Sequence, residues 1–256
     1  MLLIIDIGNT NVVMAVHDGK TWVKNWRIYS DAKKTSDEYY VIVERLLVNN
    51  GCNPSDIDHA VICSVVPNLT RAFQKVVLQF TGCEPFMVSH DTCPGIDRIS
   101  IPSELGYDML ANAVAARQMF PDQAVAVLDF GTALTFTVVS SDGKLLGATL
   151  APGLITAVNS LFLNTAQIPQ VQLRIPDKVV GRDSEQSIRS GIMFGYSGLV
   201  KELISKTEEE IGCKLKIIAT GGLSSTIAPL IGRIDVLSPL HTLEGLRLMV
   251  ASRKTR

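Results

Sequence analysis

The chain has 256 residues, 46% of them hydrophobic, with 24 Lys and Arg against 25 Asp and Glu. This length and apolar content suffice for one large or two modest domains with a buried core. The formal net charge of −1 gives no reason to expect a general affinity for nucleic acid or for membranes.

The cysteines and the termini bear on the compartment. Five scattered cysteines without a Cys-x-x-Cys pair favour reduced thiols over disulfides or a zinc site. Met1 runs directly into a predicted strand without a charged leader, and no apolar stretch is long enough to cross a bilayer. We therefore expect a cytoplasmic protein, with the basic tail Arg253–Arg256 as a solvated end.

The first half of the chain alternates strand and helix signals. A three-stranded meander is predicted over residues 2–28, and a capping box at Thr35 opens the first helix. A buried strand over residues 60–66 stops at Pro67, and we predict that Asn68 caps the helix that follows.

A second helix-rich stretch ends the first half. Small residues from Tyr107 onward predict a helix that packs closely against a neighbour. This helix ends near Met119, and the strand pattern then restarts. We therefore predict two domains, 1–119 and 120–256.

The second half is predicted to repeat the order of the first. Its distinctive feature is a long helix from Ser184 that is interrupted by Gly191, Gly195 and Gly198. The other predicted elements are a strand at 144–150, a helix near 155–163, a strand at 214–219 and helices at 224–231 and 243–252.

Two segments, Leu2–Asn11 and Ala126–Thr135, share one loop pattern. Each has an apolar run, an Asp at its end, a Gly two residues later and a hydroxyl residue in the turn. Each then returns to apolar residues and reaches an Asp-Gly pair, at Asp18–Gly19 and at Asp142–Gly143, which is typical of hairpins. The repetition favours a duplicated fold over two unrelated hairpins.

The loop pattern indicates a phosphate site. Glycine lets the backbone approach a bulky anion, and the Thr hydroxyls and turn amides can donate to phosphate oxygens. An Asp such as Asp6 would repel phosphate unless a cation lies between them, so its best use is to hold magnesium or its water shell. We therefore expect a nucleotide held between the two halves.

Three further positions carry open alternatives. Thr220–Gly222 ends a buried strand. Its paired glycines, Gly221 and Gly222, either belong to the ATP site and bind adenosine or form a plain strand-to-helix turn. Asp108 follows Gly106 and serves either as a general base or as a helix cap. Ser184 either donates to a carboxylate or caps its helix.

Together these residues resemble the type III pantothenate kinases, which belong to the superfamily of acetate and sugar kinases, heat-shock chaperone ATPases and actin. The resemblance covers nearly the whole chain. It rests on Asp6–Thr10, Gly106–Asp108, Asp129–Ala133, Ala151–Leu154, Thr165–Pro169, Gly181–Ser184 and Thr220–Gly222.

The resemblance implies an α/β fold of two ribonuclease-H-like domains of the actin-like ATPase type, each a mixed sheet with flanking helices. It also implies a homodimer whose partners are ATP and pantothenate. The reaction would be ATP-dependent phosphorylation of pantothenate to 4'-phosphopantothenate, the first step of coenzyme A biosynthesis.

The resemblance also assigns roles to residues. Asp108 would be the general base. Asp129 would bind a monovalent cation, potassium or ammonium, which makes a magnesium-binding role for Asp129 less strongly favoured. Substrate would contact Gly106, Tyr107, Asp108, Met109 and Ser184. ATP would contact Asp6, Ile7, Gly8, Asn9, Thr10, Asn11, Val12, Val13 and Thr132.

The chain departs from the family pattern in the half that binds the acid substrate. Met109 stands where the family has Arg, and Ser184 stands where it usually has Thr. The Tyr that tends to precede the position of Pro102 is absent. Loss of the Arg predicts weak pantothenate binding that Met109→Arg improves, unless Arg98 substitutes. It also leaves two rivals: a nucleotide-binding pseudokinase or regulator, and a kinase for another small alcohol.

Overall fold

The computed structural model describes residues 1–163 and 171–252. The motif Thr165–Pro169 and the basic tail Arg253–Arg256 lie outside the described residues. All five cysteines lie within them, and no disulfide joins any two of them. In the part of the chain that is described, every helix is too short or too polar to span a bilayer.

The chain forms two compact units. The first unit comprises Met1–Pro94, Pro102–Ala115 and the segment from Thr242 onward. The second comprises Gly95–Ile101 and Ala116–His241. The chain thus passes into the second unit at Ala116, and the predicted domain limits 1–119 and 120–256 stay a prediction.

The strands and helices follow the predicted order, except for a short strand at Val236–Leu237 that was not predicted. In chain order they are β1 (Leu2–Ile7), β2 (Asn11–His17), β3 (Trp22–Tyr29), α1 (Ser36–Val48), β4 (His59–Ser64), α2 (Pro67–Thr81), β5 (Phe86–Met87), α3 (Tyr107–Met119), β6 (Val125–Phe130), β7 (Ala133–Val139), β8 (Leu145–Pro152), α4 (Leu154–Leu163), α5 (Ser184–Ile211), β9 (Lys216–Thr220), α6 (Ser224–Ile231), β10 (Val236–Leu237) and α7 (His241–Ala251).

The first unit is built on a five-stranded sheet in the order β3-β2-β1-β4-β5. The central strand β1 is antiparallel to β2 and parallel to β4. Leu3, Ile5 and Ile7 alternate along β1 and share one core with apolar residues of α1 and α2, such as Phe73. Ile4 points to the opposite face and is also fully buried, so β1 is covered on both faces, as its unbroken apolar run requires.

The second unit repeats this sheet in the order β8-β7-β6-β9-β10. Here β6 is central, antiparallel to β7 and parallel to β9. Leu128 and Phe136 face a core that includes Met193 of α5 and Ile227 of α6. Val127 faces a second apolar cluster on the other side of the sheet. The predicted α/β fold of two ribonuclease-H-like halves is therefore confirmed.

The sequence predicted the start of α1 correctly and the N-cap of α2 incorrectly. The Thr35 side chain accepts from the Glu38 N–H while Glu38 accepts from the Thr35 N–H at 2.7 Å, so the predicted capping box is present. The prediction that Asn68 caps α2 is wrong, because the helix begins at Pro67 and Val66 is its N-cap. Proline suits the first helical position, since its missing N–H has no partner there.

The small residues of α3 serve close packing, as predicted. A Cβ on Gly245 of α7 would come within 1.9 Å of the Ala111 carbonyl oxygen. The Thr242 hydroxyl donates to the Asn112 side chain at 2.9 Å. These contacts join α3 and α7 within the first unit and fix the start of α3, where Asp108 lies.

Candidate active site

The first loop is the turn between β1 and β2. The Gly8 N–H donates to the Asn11 carbonyl at 3.0 Å, and the Ser30 hydroxyl donates to the Gly8 carbonyl at 2.6 Å. The Ser30 N–H also donates to the Thr10 carbonyl at 2.9 Å. The loop is therefore held from the end of β3, while Asn9 and Thr10 are exposed.

The predicted phosphate loop, Asp6 to Val13, is only partly accessible. The side chains of Ile7 and Val12 are fully buried in the core. Their contribution to a ligand would therefore come from the backbone alone. Asp6 and Val13 are half-buried, and the exposed turn is what a phosphate can reach.

The second loop connects β6 and β7 and is shorter by one residue. The Gly131 N–H donates to the Ala133 carbonyl at 3.2 Å. The Thr132 carbonyl accepts from the Gly153 N–H at 2.9 Å and from the Thr156 hydroxyl at 2.6 Å. The start of α4 thus fixes this loop, and Thr132 is exposed.

Gly221 lies against Asp129. Its φ is +88°, and a Cβ there would be 2.6 Å from both Asp129 Oδ1 and the Phe130 backbone nitrogen. The parallel register places Thr220 opposite Asp129, and the Ser224 hydroxyl closes the turn by donating to the Gly221 carbonyl at 2.7 Å. A tight strand-to-helix turn is therefore present, while the adenosine role of Gly221 and the exposed Gly222 stays a prediction.

Asp108 lies in the first turn of α3 and is half-buried. Its Oδ1 accepts from the Met109 N–H at 2.8 Å, so it does satisfy one of the free amides at this helix end. A Cβ on Gly106 would be 2.5 Å from that same oxygen and 3.4 Å from Met109 Cε. Gly106 thus leaves the space that the Asp108 carboxylate occupies.

The first unit brings Asp6 and Asp108 to one place, around Cys63. The register of β1 and β4 sets Asp6 opposite Cys63. Burial raises the pKa of the Cys63 thiol well above its usual value, and the carboxylates of Asp6 and Asp108 raise it further. Sequence reasoning missed Cys63, although a parallel β4 beside β1 is the signal that would have placed it next to Asp6.

Ser184 is the first residue of α5, and its side chain is exposed. The cap is Asp183, which accepts from the Gln186 N–H at 2.7 Å, so the capping alternative for Ser184 is wrong. A cavity of about 290 Å³ lies beside this helix start, and its charged lining residues include Asp177 as well as Arg174, Lys178 and Arg182. Ser184 itself does not line this cavity.

The described residues contain no group of three or more His, Cys, Asp and Glu side chains that could hold a metal ion. Asp6 and Asp129 each supply carboxylate oxygens at a strand end. Hard cations such as magnesium accept a few protein oxygens and complete their coordination with water and phosphate oxygens. Single carboxylates of this kind fit a cation bound together with a nucleotide.

Comparisons with known proteins agree on one family. A family model described as type III pantothenate kinase matches residues 2–206. A type III pantothenate kinase from Desulfosudis oleivorans is 41% identical over 254 residues, covering 98% of this chain and 99% of that protein. One from Moorella thermoacetica is 37% identical over 250 residues, covering 97% and 98%.

Solved structures agree on the fold. An activator of 2-hydroxyisocaproyl-CoA dehydratase from Clostridium difficile, with bound ADPNP, matches with a TM-score of 0.55 at 14% identity, covering 99% of this chain and 96% of that one. An ROK hexokinase from Thermus thermophilus matches with a TM-score of 0.50 at 10% identity, covering 100% and 99%. Both matches extend over nearly the whole chain and therefore support the fold of the complete chain.

Proposed function

Since this chain belongs to the type III pantothenate kinase family, we infer that it phosphorylates pantothenate to 4'-phosphopantothenate with ATP, the first step of coenzyme A biosynthesis. The observation that carries the mechanism is that the carboxylates of Asp6 and Asp108 both raise the pKa of the buried Cys63 thiol, which the register of β1 and β4 sets opposite Asp6. One carboxylate belongs to the predicted phosphate loop and the other is the predicted base. The retained base argues against a pseudokinase.

We propose that Asp108 accepts the proton of the substrate's primary hydroxyl. As the hydroxyl oxygen bonds to the γ-phosphorus of ATP, the bond from that phosphorus to the ADP oxygen breaks and the proton passes to the carboxylate. Catalysis of this kind rests mainly on positioning and on electrostatic stabilisation. The N–H of Met109 holds Asp108 Oδ1 at 2.8 Å, which supports a fixed orientation of the carboxylate.

The nucleotide contacts are assigned by analogy between the loops. The amides of Asn9 and Thr10 and the Thr10 hydroxyl would donate to phosphate oxygens beside Gly8, whose own N–H is used within the turn, and Thr132 would donate from the second unit. Gly221 and Gly222 would lie along the adenosine. Each loop is held by hydrogen bonds from its own unit, and such preorganisation favours anion binding.

Two cations belong to the proposal. Asp6 would hold magnesium or its water shell, and Asp129 would bind potassium or ammonium. These cations would neutralise charge on the phosphates that the loop amides also bind. The single carboxylates at the strand ends are consistent with both roles.

We further propose a homodimer in which Ser184 reaches the substrate of the partner. Gly191, Gly195 and Gly198 follow one another along α5. Apart from the nearby backbone of the helix itself, no heavy atom of the described residues lies within 4 Å of the position that a Cβ would take at any of them. Val179 and Val180 nearby are 68% and 80% exposed. A helix bearing such glycines can approach another helix closely. A monomeric mass by light scattering, in active protein, would remove the shared site.

The direct test is ATP consumption with and without pantothenate, with the product identified by its mass. We expect ADP release that depends on pantothenate and a product heavier by one phosphoryl group. ATP binding without turnover of any small alcohol would support a regulator instead. Faster turnover of another primary alcohol would identify a different substrate.

A further inference from the structure

The first unit contains a cavity of about 430 Å³ beside the predicted base. Its walls are largely apolar and include Val65, Met87 and Val88, with Gln74 and Tyr107 among its polar groups. Small-molecule sites fall in this size range and combine apolar walls with a few polar groups. The gem-dimethyl group and amide of pantothenate match such a lining.

The position of the cavity links it to the reaction. Tyr107 lines it and directly precedes Asp108, the predicted base. Ser64 also lines it, on the face of β4 opposite to that of Cys63, because neighbouring residues of a strand point to opposite faces. A substrate in this cavity would therefore lie beside the start of α3 and reach the base from that side.

Arg71 gives the cavity its charge. Among the described residues that line it, Arg71 alone is charged. Its side chain is exposed on the second turn of α2, and no described carboxylate pairs with it. The neighbouring hydroxyls are already engaged, because Thr70 Oγ1 donates to Ser64 Oγ at 2.7 Å. The guanidinium is thus available to an anion.

We propose that Arg71 binds the carboxylate of pantothenate in this cavity and so replaces the Arg that Met109 lacks. The proposal rests on the proposed function and names the group that recognises the acid end of the substrate. A guanidinium can hold a carboxylate with two parallel charge-assisted hydrogen bonds. Met109 offers neither charge nor a side-chain donor.

The test compares two variants on two substrates. Arg71→Ala should raise the KM for pantothenate about tenfold to a hundredfold, the range for hydrogen bonds to charged groups, with kcat and the KM for ATP little changed. Lys75→Ala is the matched control, since Lys75 is exposed one turn later on α2 and does not line the cavity. Pantothenol, which carries an alcohol in place of the carboxylate, should be phosphorylated equally well by the wild type and Arg71→Ala.

The outcomes separate this proposal from the proposed function. An equal loss on pantothenate and pantothenol would mean that Arg71 acts through packing, and no loss on either would mean that another group holds the carboxylate. An effect of Arg98→Ala alone would identify Arg98 as that group. If the wild type does not phosphorylate pantothenate, the proposed function fails. Calorimetric titration of pantothenate into the wild type and Arg71→Ala then still tests Arg71: equal binding, or none, overturns its role.

Discussion

The two units share one strand order, yet they surround their strand-end aspartates differently. Asp6 lies opposite Cys63, and Asp108 from the start of α3 comes near the same thiol. Asp129 lies opposite Thr220, and Gly221 presses against its carboxylate. The first loop is also longer by one residue than the second.

This difference indicates a division of labour on a duplicated scaffold. In the first unit, two carboxylates from different elements act on one buried thiol, which supports our proposal that this unit supplies the base and the carboxylate for magnesium. The second unit packs backbone against its Asp, which suits a confined cation and the flat part of a nucleotide.

The largest effect is expected at the base. Asp108→Asn keeps the shape but cannot accept the hydroxyl proton, so kcat should fall about 10²–10⁴-fold with ATP affinity little changed. The control variant is Asp183→Asn, at the start of α5, where the amide oxygen of Asn can still cap the helix. Steady-state kinetics that show similar kcat losses for both, or unfolding of Asp108→Asn by circular dichroism, would favour a structural role for Asp108.

Replacing a glycine by alanine should destabilise the protein more beside Asp129, at Gly221, than in the first loop, at Gly8. Gly221→Ala forces a side chain into positive φ and within 2.6 Å of Asp129 Oδ1, so we expect a loss of at least about 1–3 kcal/mol in unfolding free energy. Gly8→Ala meets the Asn11 carbonyl at 3.2 Å without a positive φ and should cost less than about 1 kcal/mol. Urea unfolding measures both, and equal losses would contradict the difference in packing.

The stability of the second unit should depend on pH through one buried carboxylate, that of Glu208. Buried Glu208 accepts from Arg233 and Lys214, each at 2.7 Å, and from the Leu215 N–H at 3.1 Å. The Arg233 bond, with smaller contributions from the other two, lowers the pKa of Glu208 to about 2. The stability that this provides is therefore present above the ordinary value of 4.5 and is lost as pH falls from there toward 2.

Glu208→Gln measures that contribution. We expect it to reduce the unfolding free energy at pH 7 by about 1–3 kcal/mol, and the gap to the wild type should close as pH falls below 4.5. Glu209→Gln is the control, because Glu209 is exposed and its ion-pair partner among the described residues is the exposed Lys206. A gap that is independent of pH would show that the network does not depend on the charge of Glu208.

The smallest effect concerns the monovalent cation. Asp129→Asn should reduce activation by potassium or ammonium by about tenfold, since one charged contact is lost. Asp6→Asn should instead lower turnover at every potassium concentration. Initial rates measured over a potassium titration separate the two. Unchanged activation in Asp129→Asn would place the cation elsewhere.

Local patterns allowed much of the fold to be predicted. The capping box at Thr35 and the bounds of α6 follow from neighbouring residues, and the structure confirms both. The paired loops were predictable because each is one continuous segment. The start of α2 was not, since Pro67 and Asn68 both carry helix-start signals and only the backbone geometry separates them.

The site was harder to predict because its members come from distant segments. Cys63 meets Asp6 only through the register of two parallel strands, and no local pattern fixes register. Arg71 looks like an ordinary exposed helix residue until α2 is placed beside Tyr107 at one cavity. The sequence shows that Met109 stands where the family has Arg. The proposed substitute, Arg71, can be identified only from the tertiary packing.

We propose that the loops of both units contact one nucleotide, and calorimetric titration of ATP with magnesium tests this proposal most directly. Asp6→Asn in the first loop and Thr132→Val in the second should each weaken binding relative to the wild type. Each variant removes one charge or hydroxyl without changing the size of the side chain much. If both variants titrate with ATP and turn it over like the wild type, the duplicated-site account is wrong.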